Sequence, residues 1–551
     1  MTDRVEILDT TLRDGAQGEG ISFSISDKTA VVRALDELGV SWIEAGNPGS
    51  NPKDIEFFHV LREMRFEHAK ICAFGPTRKK GNNVRDDPQA LSLLEADTEG
   101  VVIFGKTWDL HVAEVLRVSL EENLEMIAET IAFMKLYGRQ VFFDAEHFFD
   151  GWLANPEYAL KTLFAAVEAG ADRVILCDTN GGSTPDAVMQ GVAQARAKLE
   201  ERFPGRLAEQ PFLGIHAHND AGFAAANTAL AVINGCRHVQ GTLAGFGERC
   251  GNAALAVAIP SIELKLGLPC LPPGKLERIS EITRMIAEIA NLSIPDTMPY
   301  VGAHAFSHKA GMHTDGILKT QRSFEHIDPA MVGNSRRFLM SEMGGRTAIA
   351  ERARKLEPSL TRDHPAIAAI AERLKGLEAD GWQFEGADAS FELLVRRELN
   401  RYTPLFTIEA YRVISEHPPV IAMDHAWIKV LVDGTCEVAS AEGEGPVDAL
   451  NKALRKALQN FYPELKAVRL TDFKVRVIDG SAATAAKVRV LIESTDGLRS
   501  WTTVGVSADI IEASRIALVE SIEYKLIGDL ERRYKVFSPD PAAQESRGGE
   551  P

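Results

Sequence analysis

One alternation, running from about residue 4 to residue 268, constrains the fold of this chain more than any other feature. Eight short runs rich in Val, Ile and Phe are each followed by a polar loop and a segment of helical periodicity. The runs are Val5–Asp9, Val40–Glu44, Ala69–Phe74, Val101–Phe104, Gln140–Asp144, Arg173–Cys177, Phe212–His216 and His238–Thr242. Helical stretches such as Asp27–Leu38, Glu121–Tyr137, Pro156–Ala169 and Pro185–Leu199 lie between them. Eight strands alternating with helices over roughly 265 residues predict an α/β fold, a closed (β/α)8 TIM barrel, over residues 1–270.

After Pro272-Pro273 the alternation stops. Lys275–Ala290 reads as a helix, Gly302–Gly316 as a Gly-, His- and Ser-rich loop, and residues 271–403 as mostly helical linker subdomains. From about Pro404 to residue 537 the pattern becomes α+β, strands plus one helix, twice over. Its helices are Val447–Asn460 and Ala508–Ile527, with strands Phe473–Ile478 and Lys487–Glu493 between them. The tail 538–551 is Pro/Gly/Glu-rich and reads as disordered.

With 45% hydrophobic residues, the chain has no apolar stretch near the ~20 residues that cross a bilayer, and its start lacks a signal-type block. No membrane association and a cytoplasmic location are expected. A net charge of -17 argues against nucleic acid as a partner, because that binding depends on Lys and Arg releasing counterions. The six cysteines are scattered and read as buried reduced thiols.

Polar residues gather just after the strands, at what would be the catalytic end of the barrel: Arg13 and Asp14, Glu44, Asp144 and Glu146, Asp178 and Thr179, His216 to Asp220, Glu248 to Asn252. Three constellations stand out. In Leu12-Arg13-Asp14-Gly15-Ala16-Gln17, followed by Lys28, a carboxylate able to hold a hard cation adjoins a guanidinium whose donor fork suits an oxygen that becomes negative. In His216-Ala217-His218-Asn219-Asp220, residues i and i+2 of a strand share a face, so both imidazoles can aim at one ion. Two imidazoles and a carboxylate suit zinc, manganese or cobalt, and tolerate magnesium. In Gly245-Phe246-Gly247-Glu248-Arg249-Cys250-Gly251-Asn252, glycines allow close backbone approach and the Asn252 amide oxygen is a further hard ligand.

These motifs resemble the signatures of the 2-isopropylmalate, homocitrate and citramalate synthase family within the DRE-TIM metallolyase group. Longer stretches resemble the long citramalate synthases in particular: Asn47–Asp54, Asp144–Gly151 and Glu325–Pro329. The resemblance implies a divalent metal ion held by Asp14, His216, His218 and Asn252. It also implies that Arg13 binds the keto oxygen, that Arg13, Gln17, Glu44 and Thr179 bind substrate, and that Glu146 and His313 serve proton transfers. Gly245, Gly247 and Glu248 would meet acetyl-CoA. The implied reaction joins acetyl-CoA to a 2-oxo acid, pyruvate favoured, giving (R)-citramalate and CoA on a route towards isoleucine. The C-terminal duplication, with its Gly443–Ala449 turn, resembles a regulatory domain of the LeuA dimer type, implying a homodimer and isoleucine or leucine as inhibitor. Phe324 stands where the family pattern carries Tyr, and the loops at Ala45–Asn47 and Leu243–Phe246 also depart from it. Siblings using 2-oxoisovalerate or 2-oxoglutarate, a lyase or aldolase on the same barrel, and a catalytically inactive amino-acid binder remain open. A biotin-dependent carboxyltransferase lacks its Ala-Met-Lys-Met segment here.

Overall fold

The computed structural model describes residues 4–50, 52–209, 211–308, 311–338, 345–354, 356–416, 423–478, 486–497 and 499–537. The expected tail at 538–551 lies outside them. The chain forms two compact units, one running to Phe306 and taking in Glu325–Arg336, the other formed by Ser307–Phe324 and the chain from Arg337 onward.

The first unit is a closed barrel of eight parallel strands in sequence order, β1 (Glu6–Asp9), β2 (Trp42–Glu44), β3 (Lys70–Pro76), β4 (Gly100–Lys106), β5 (Gln140–Glu146), β6 (Arg173–Asp178), β7 (Leu213–Ala217) and β8 (His238–Gly241). Closure comes from β1 pairing with β8, Glu6 opposite His238 through Asp9 opposite Gly241. The helices begin and end where local chemistry says they should. Ser24 and Asp27 form a capping box at the start of Ile25–Leu38, and Gly39 ends that helix in the left-handed conformation, φ 89°. Asn155 and Thr184 cap Pro156–Glu168 and Pro185–Arg202, each with proline in its first turn.

Because strand side chains alternate, each strand sends one row inward. Leu8, Trp42, Cys72, Val102, Phe142, Ile175 and Cys177 form a buried cluster of their own inside the barrel. The lower end carries a charged plug. Arg173 donates from Nε to Glu6 Oε1 at 2.5 Å, from one terminal nitrogen to Glu6 Oε2 at 2.8 Å and from the other to the Gln140 side-chain oxygen at 3.2 Å. His238 Nδ1 meets Glu6 Oε1 at 2.8 Å, and the Arg173 guanidinium lies 4.4 Å from the Phe142 ring centre.

The second unit contains helices Gly311–Lys319, Gly345–Ala353, Pro365–Ala379 and Asp388–Glu398, then two copies of one motif. In the first copy strands Thr407–Glu416, Met423–Val432 and Thr435–Gly443 form an antiparallel sheet carrying helix Pro446–Leu458. In the second, Arg469–Val477, Val488–Thr495 and Ser500–Ser507 carry helix Ile510–Phe537. Asp433 and Gly434, both with positive φ, make the two-residue hairpin turn that Asp-Gly favours. Each helix buries an apolar stripe on its sheet, Leu450, Leu454 and Leu458 in one, Leu518, Ile522 and Leu526 in the other.

Three expectations are corrected. Part of the Gly302–Gly316 loop is helical, since Gly311–Lys319 forms an α-helix that contains His313. Each C-terminal repeat holds three strands, and Ser500–Ser507, which opens Ser-Trp-Thr-Thr, is a strand that the sequence reading does not include. Of the six free cysteines, Cys250 and Cys436 are exposed, while Cys72, Cys177, Cys236 and Cys270 are buried as expected. Among the described residues no helix is long and apolar enough to cross a membrane.

Candidate metal centre

The inward rows that fill the barrel become the walls of a cavity when followed upward. Phe142 leads to Asp144 and Glu146, Ile175 to Cys177 and Thr179, and His216 to His218, always two residues on. With Arg13, Asp14, Gln17, Phe74, Phe104, Glu248 and Arg249 they line a cavity of about 230 Å³ at the C-terminal mouth of the barrel.

Three donors meet at its base. His216 Nε2 lies 3.4 Å from His218 Nε2, and Asp14 Oδ2 lies 3.6 Å and 3.8 Å from these two nitrogens. All three residues are buried, and together they form a group able to hold one metal ion. His216 Nδ1 bonds the Gln240 side-chain oxygen at 2.9 Å, and Gln240 Nε2 donates to Asp144 Oδ1 at 2.9 Å. Since the Gln240 oxygen only accepts, Nδ1 carries the proton and Nε2 presents its lone pair to the centre. Burial, with His218 adding to it, lowers the His216 pKa to about 4, and burial lowers that of His218 as well, which favours the neutral, lone-pair-bearing form of both rings. Burial opposes ionisation of Asp14. The Arg13 guanidinium, both imidazoles and the Asn252 amide outweigh it and hold the carboxyl well below the usual range.

Asn252 lies against this group. Its side-chain nitrogen donates to Asp14 Oδ1 at 2.8 Å, while its oxygen Oδ1 is buried without a hydrogen-bond partner among the described residues. A buried acceptor left unpaired costs about 1–3 kcal/mol, which a cation would relieve. Gly247, at φ 149°, makes room for this amide, because a Cβ there would lie 2.3 Å from Asn252 Nδ2.

Arg13 is clamped beside the triad. Its Nε donates to Glu44 at 2.5 Å, one terminal nitrogen donates to Asp14 at 2.9 Å, and its face lies 3.7 Å from the Phe74 ring centre. Glu44 sits fully buried under it, and burial pushes the Glu44 carboxyl up to about 7 against the pull of Arg13. Glu146 pairs with Lys106 at 2.5 Å. The Thr179 hydroxyl accepts from the His147 backbone N–H at 2.9 Å.

Of the residues singled out in the sequence, Arg13, Asp14, Gln17, Asp144, Glu146, Thr179, His216, His218, Glu248 and Arg249 share this cavity. Glu44 and Asn252 buttress it from behind. Gly245 accepts from the Asn252 backbone N–H and closes the turn that carries it. Lys28 is elsewhere, paired with Asp54 at 2.6 Å. His313 belongs to the second unit, its ring stacked on Phe324 with centres 4.1 Å apart. Sequence reasoning missed Phe74, Phe104 and Gln240. The two phenylalanines read as ordinary core, whereas Gln240 inside an apolar strand was a signal that could have been followed.

The HMGL-like family pattern matches residues 4–286, the homocitrate synthase post-HMGL domain-like pattern residues 300–381, and the LeuA allosteric (dimerisation) domain residues 385–526. The chain is 47% identical to the (R)-citramalate synthase of Aquifex aeolicus, over 96% of this chain and 99% of that one. It is 48% identical to the (R)-citramalate synthase of Synechocystis sp., over 94% and 96% respectively. To a probable 2-isopropylmalate synthase of Methanopyrus kandleri identity is 31%, over 95% of this chain and 98% of that one. From end to end, and well above its similarity to that 2-isopropylmalate synthase, the chain belongs to the (R)-citramalate synthase family.

Proposed function

We propose that this enzyme condenses acetyl-CoA with pyruvate and hydrolyses the thioester so formed, releasing (R)-citramalate and coenzyme A in the cytoplasm on a route towards isoleucine. The observation that carries the reading is the Asp14, His216 and His218 triad lying beside the clamped Arg13 in one cavity.

Asp14, His216, His218 and Asn252 are the residues that would hold a divalent ion, with manganese, magnesium, zinc and cobalt all compatible with the donor set. Bound there, the ion supplies a Lewis acid for the keto and carboxylate oxygens of the oxo acid. Arg13 offers its donor fork to the keto oxygen and stabilises negative charge as it develops there. Thr179 and Gln17 orient the substrate carboxylate, and Glu44 keeps Arg13 in place. Proton transfers at the thioester methyl and the new hydroxyl fall to Glu146 and His313, the latter by family resemblance. The methyl carbon loses its proton and bonds to the keto carbon, whose oxygen takes up a proton. Water then cleaves the thioester, leaving carboxylate and free thiol. Gly245, Gly247 and Glu248 border the approach of acetyl-CoA. The match of residues 385–526 to the LeuA domain supports a homodimer that binds an end-product amino acid, isoleucine or leucine.

Thiol release from acetyl-CoA, assayed separately with pyruvate, 2-oxoisovalerate and 2-oxoglutarate, tests the assignment. Pyruvate should give the highest kcat/KM. A clear preference for the branched or dicarboxylic acid would overturn it.

A further inference from the structure

Arg249, in the loop after β8, has a left-handed backbone (φ 55°), a conformation that side chains with a Cβ adopt only under constraint. Its guanidinium supplies one. Nε donates to Asp220 Oδ1 at 2.8 Å, and one terminal nitrogen donates both to Asp220 Oδ2 at 3.0 Å and to the backbone oxygen of Thr179 at 2.8 Å. A single side chain thus ties together the loops that follow β6, β7 and β8.

Those loops are already in close contact. Ala221 N donates to Gly181 O and Asn219 N to Gly251 O, each at 2.9 Å, and a Cβ on Gly181 would lie 2.4 Å from Asp220 Oδ2. These bonds join neighbouring loops, whereas Arg249 reaches from the β8 loop directly to the main chain of Thr179. Thr179 is held on its other side by His147 N, which donates to its hydroxyl oxygen. With that oxygen accepting, its own hydrogen is free to turn towards the cavity that Thr179 and Arg249 both line.

We propose that Arg249 is a positioning residue for the 2-oxo acid: by pinning the Thr179 main chain it fixes the hydroxyl that meets the substrate carboxylate. This rests on the reading of Thr179 given above. A two-point pair plus a third contact requires the planar fork of arginine, and lysine offers only a point donor.

The test is steady-state thiol release by the full-length, Mn²⁺-loaded enzyme, comparing Arg249→Gln, Arg249→Lys and Asp220→Asn, with Mn²⁺ binding titrated separately. Arg249→Gln should raise KM for pyruvate about tenfold while kcat, KM for acetyl-CoA and Mn²⁺ affinity stay within about twofold, and Arg249→Lys should not rescue it. Asp220→Asn, which leaves the arginine in place, should shift the pyruvate KM in the same direction. Added to Thr179→Ala, Arg249→Gln should raise KM no further, because the group it positions is already gone. A loss confined to kcat and Mn²⁺ affinity, or a fully additive rise in the Thr179→Ala background, would overturn the inference. Wild-type enzyme that releases no thiol with pyruvate would sink the underlying reading together with this one. Normal wild-type turnover with unchanged KM in the Arg249 variants would sink this one alone.

Discussion

His216 arrives at the centre with its proton already placed, since Gln240 accepts from Nδ1 and burial keeps the ring neutral down to about pH 4. Removing the ring by His216→Ala should abolish tight Mn²⁺ binding and turnover together. Gln240→Leu leaves every ligand present but frees the imidazole to turn. Titration with Mn²⁺ should then show affinity lower by about 10–100-fold, the usual effect of losing such an outer contact. Arg13→Lys keeps the charge but loses the fork that spans Glu44, Asp14 and the keto oxygen. Its kcat should fall by about 10²–10³ with the melting temperature nearly unchanged. The meeting of Asp14, His216 and His218 was legible in the sequence because a His-x-His pair on a strand, weak by itself, falls at the same barrel end as Arg13-Asp14. The residues that support them were not, because Phe74, Phe104 and Gln240 acquire their meaning from neighbours more than 20 positions away.

At the scale of elements, period-two alternation does most of the explaining, since one inward row per strand runs from packed core to reactive rim. That is why the barrel could be read from eight apolar runs, and why strand limits moved by only a residue or two. The Gly311–Gly316 part of helix Gly311–Lys319 reads as loop in the sequence because its two glycines and Asp-Gly pair look like turn chemistry. The plug beneath the barrel makes a pH prediction. Burial opposes ionisation of Glu6, but His238 and Arg173 outweigh it and lower its pKa from 4.5 to about 2. A carboxyl shifted down contributes stability that is complete above its unfolded value, and that is lost as pH falls from about 5 towards 2. The shift corresponds to at most about 3 kcal/mol. Glu6→Gln should therefore destabilise the protein by up to that amount at pH 7 in chemical denaturation, with the gap to wild type closing as pH approaches 2. A gap independent of pH would show that the plug does not act through its charge.

For the whole molecule, the duplicated sheet-and-helix motif of the second unit makes regulation testable without dissecting the chain. Thiol release should fall on adding isoleucine or leucine, and sedimentation of the full chain should give twice its 60.2 kDa mass. The plug has a further consequence. With Glu6, Arg173 and His238 filling the floor and the cluster around Trp42 and Phe142 buried above it, the proposed reactants would come and go by the C-terminal mouth. A three-carbon acid resting on the triad, as proposed, would lie deeper than the long thioester, so arrival should have an order: the acid first, the thioester second, and departure in reverse. (R)-Citramalate should accordingly compete with pyruvate yet act non-competitively towards acetyl-CoA, a queue imposed by a barrel with a single door.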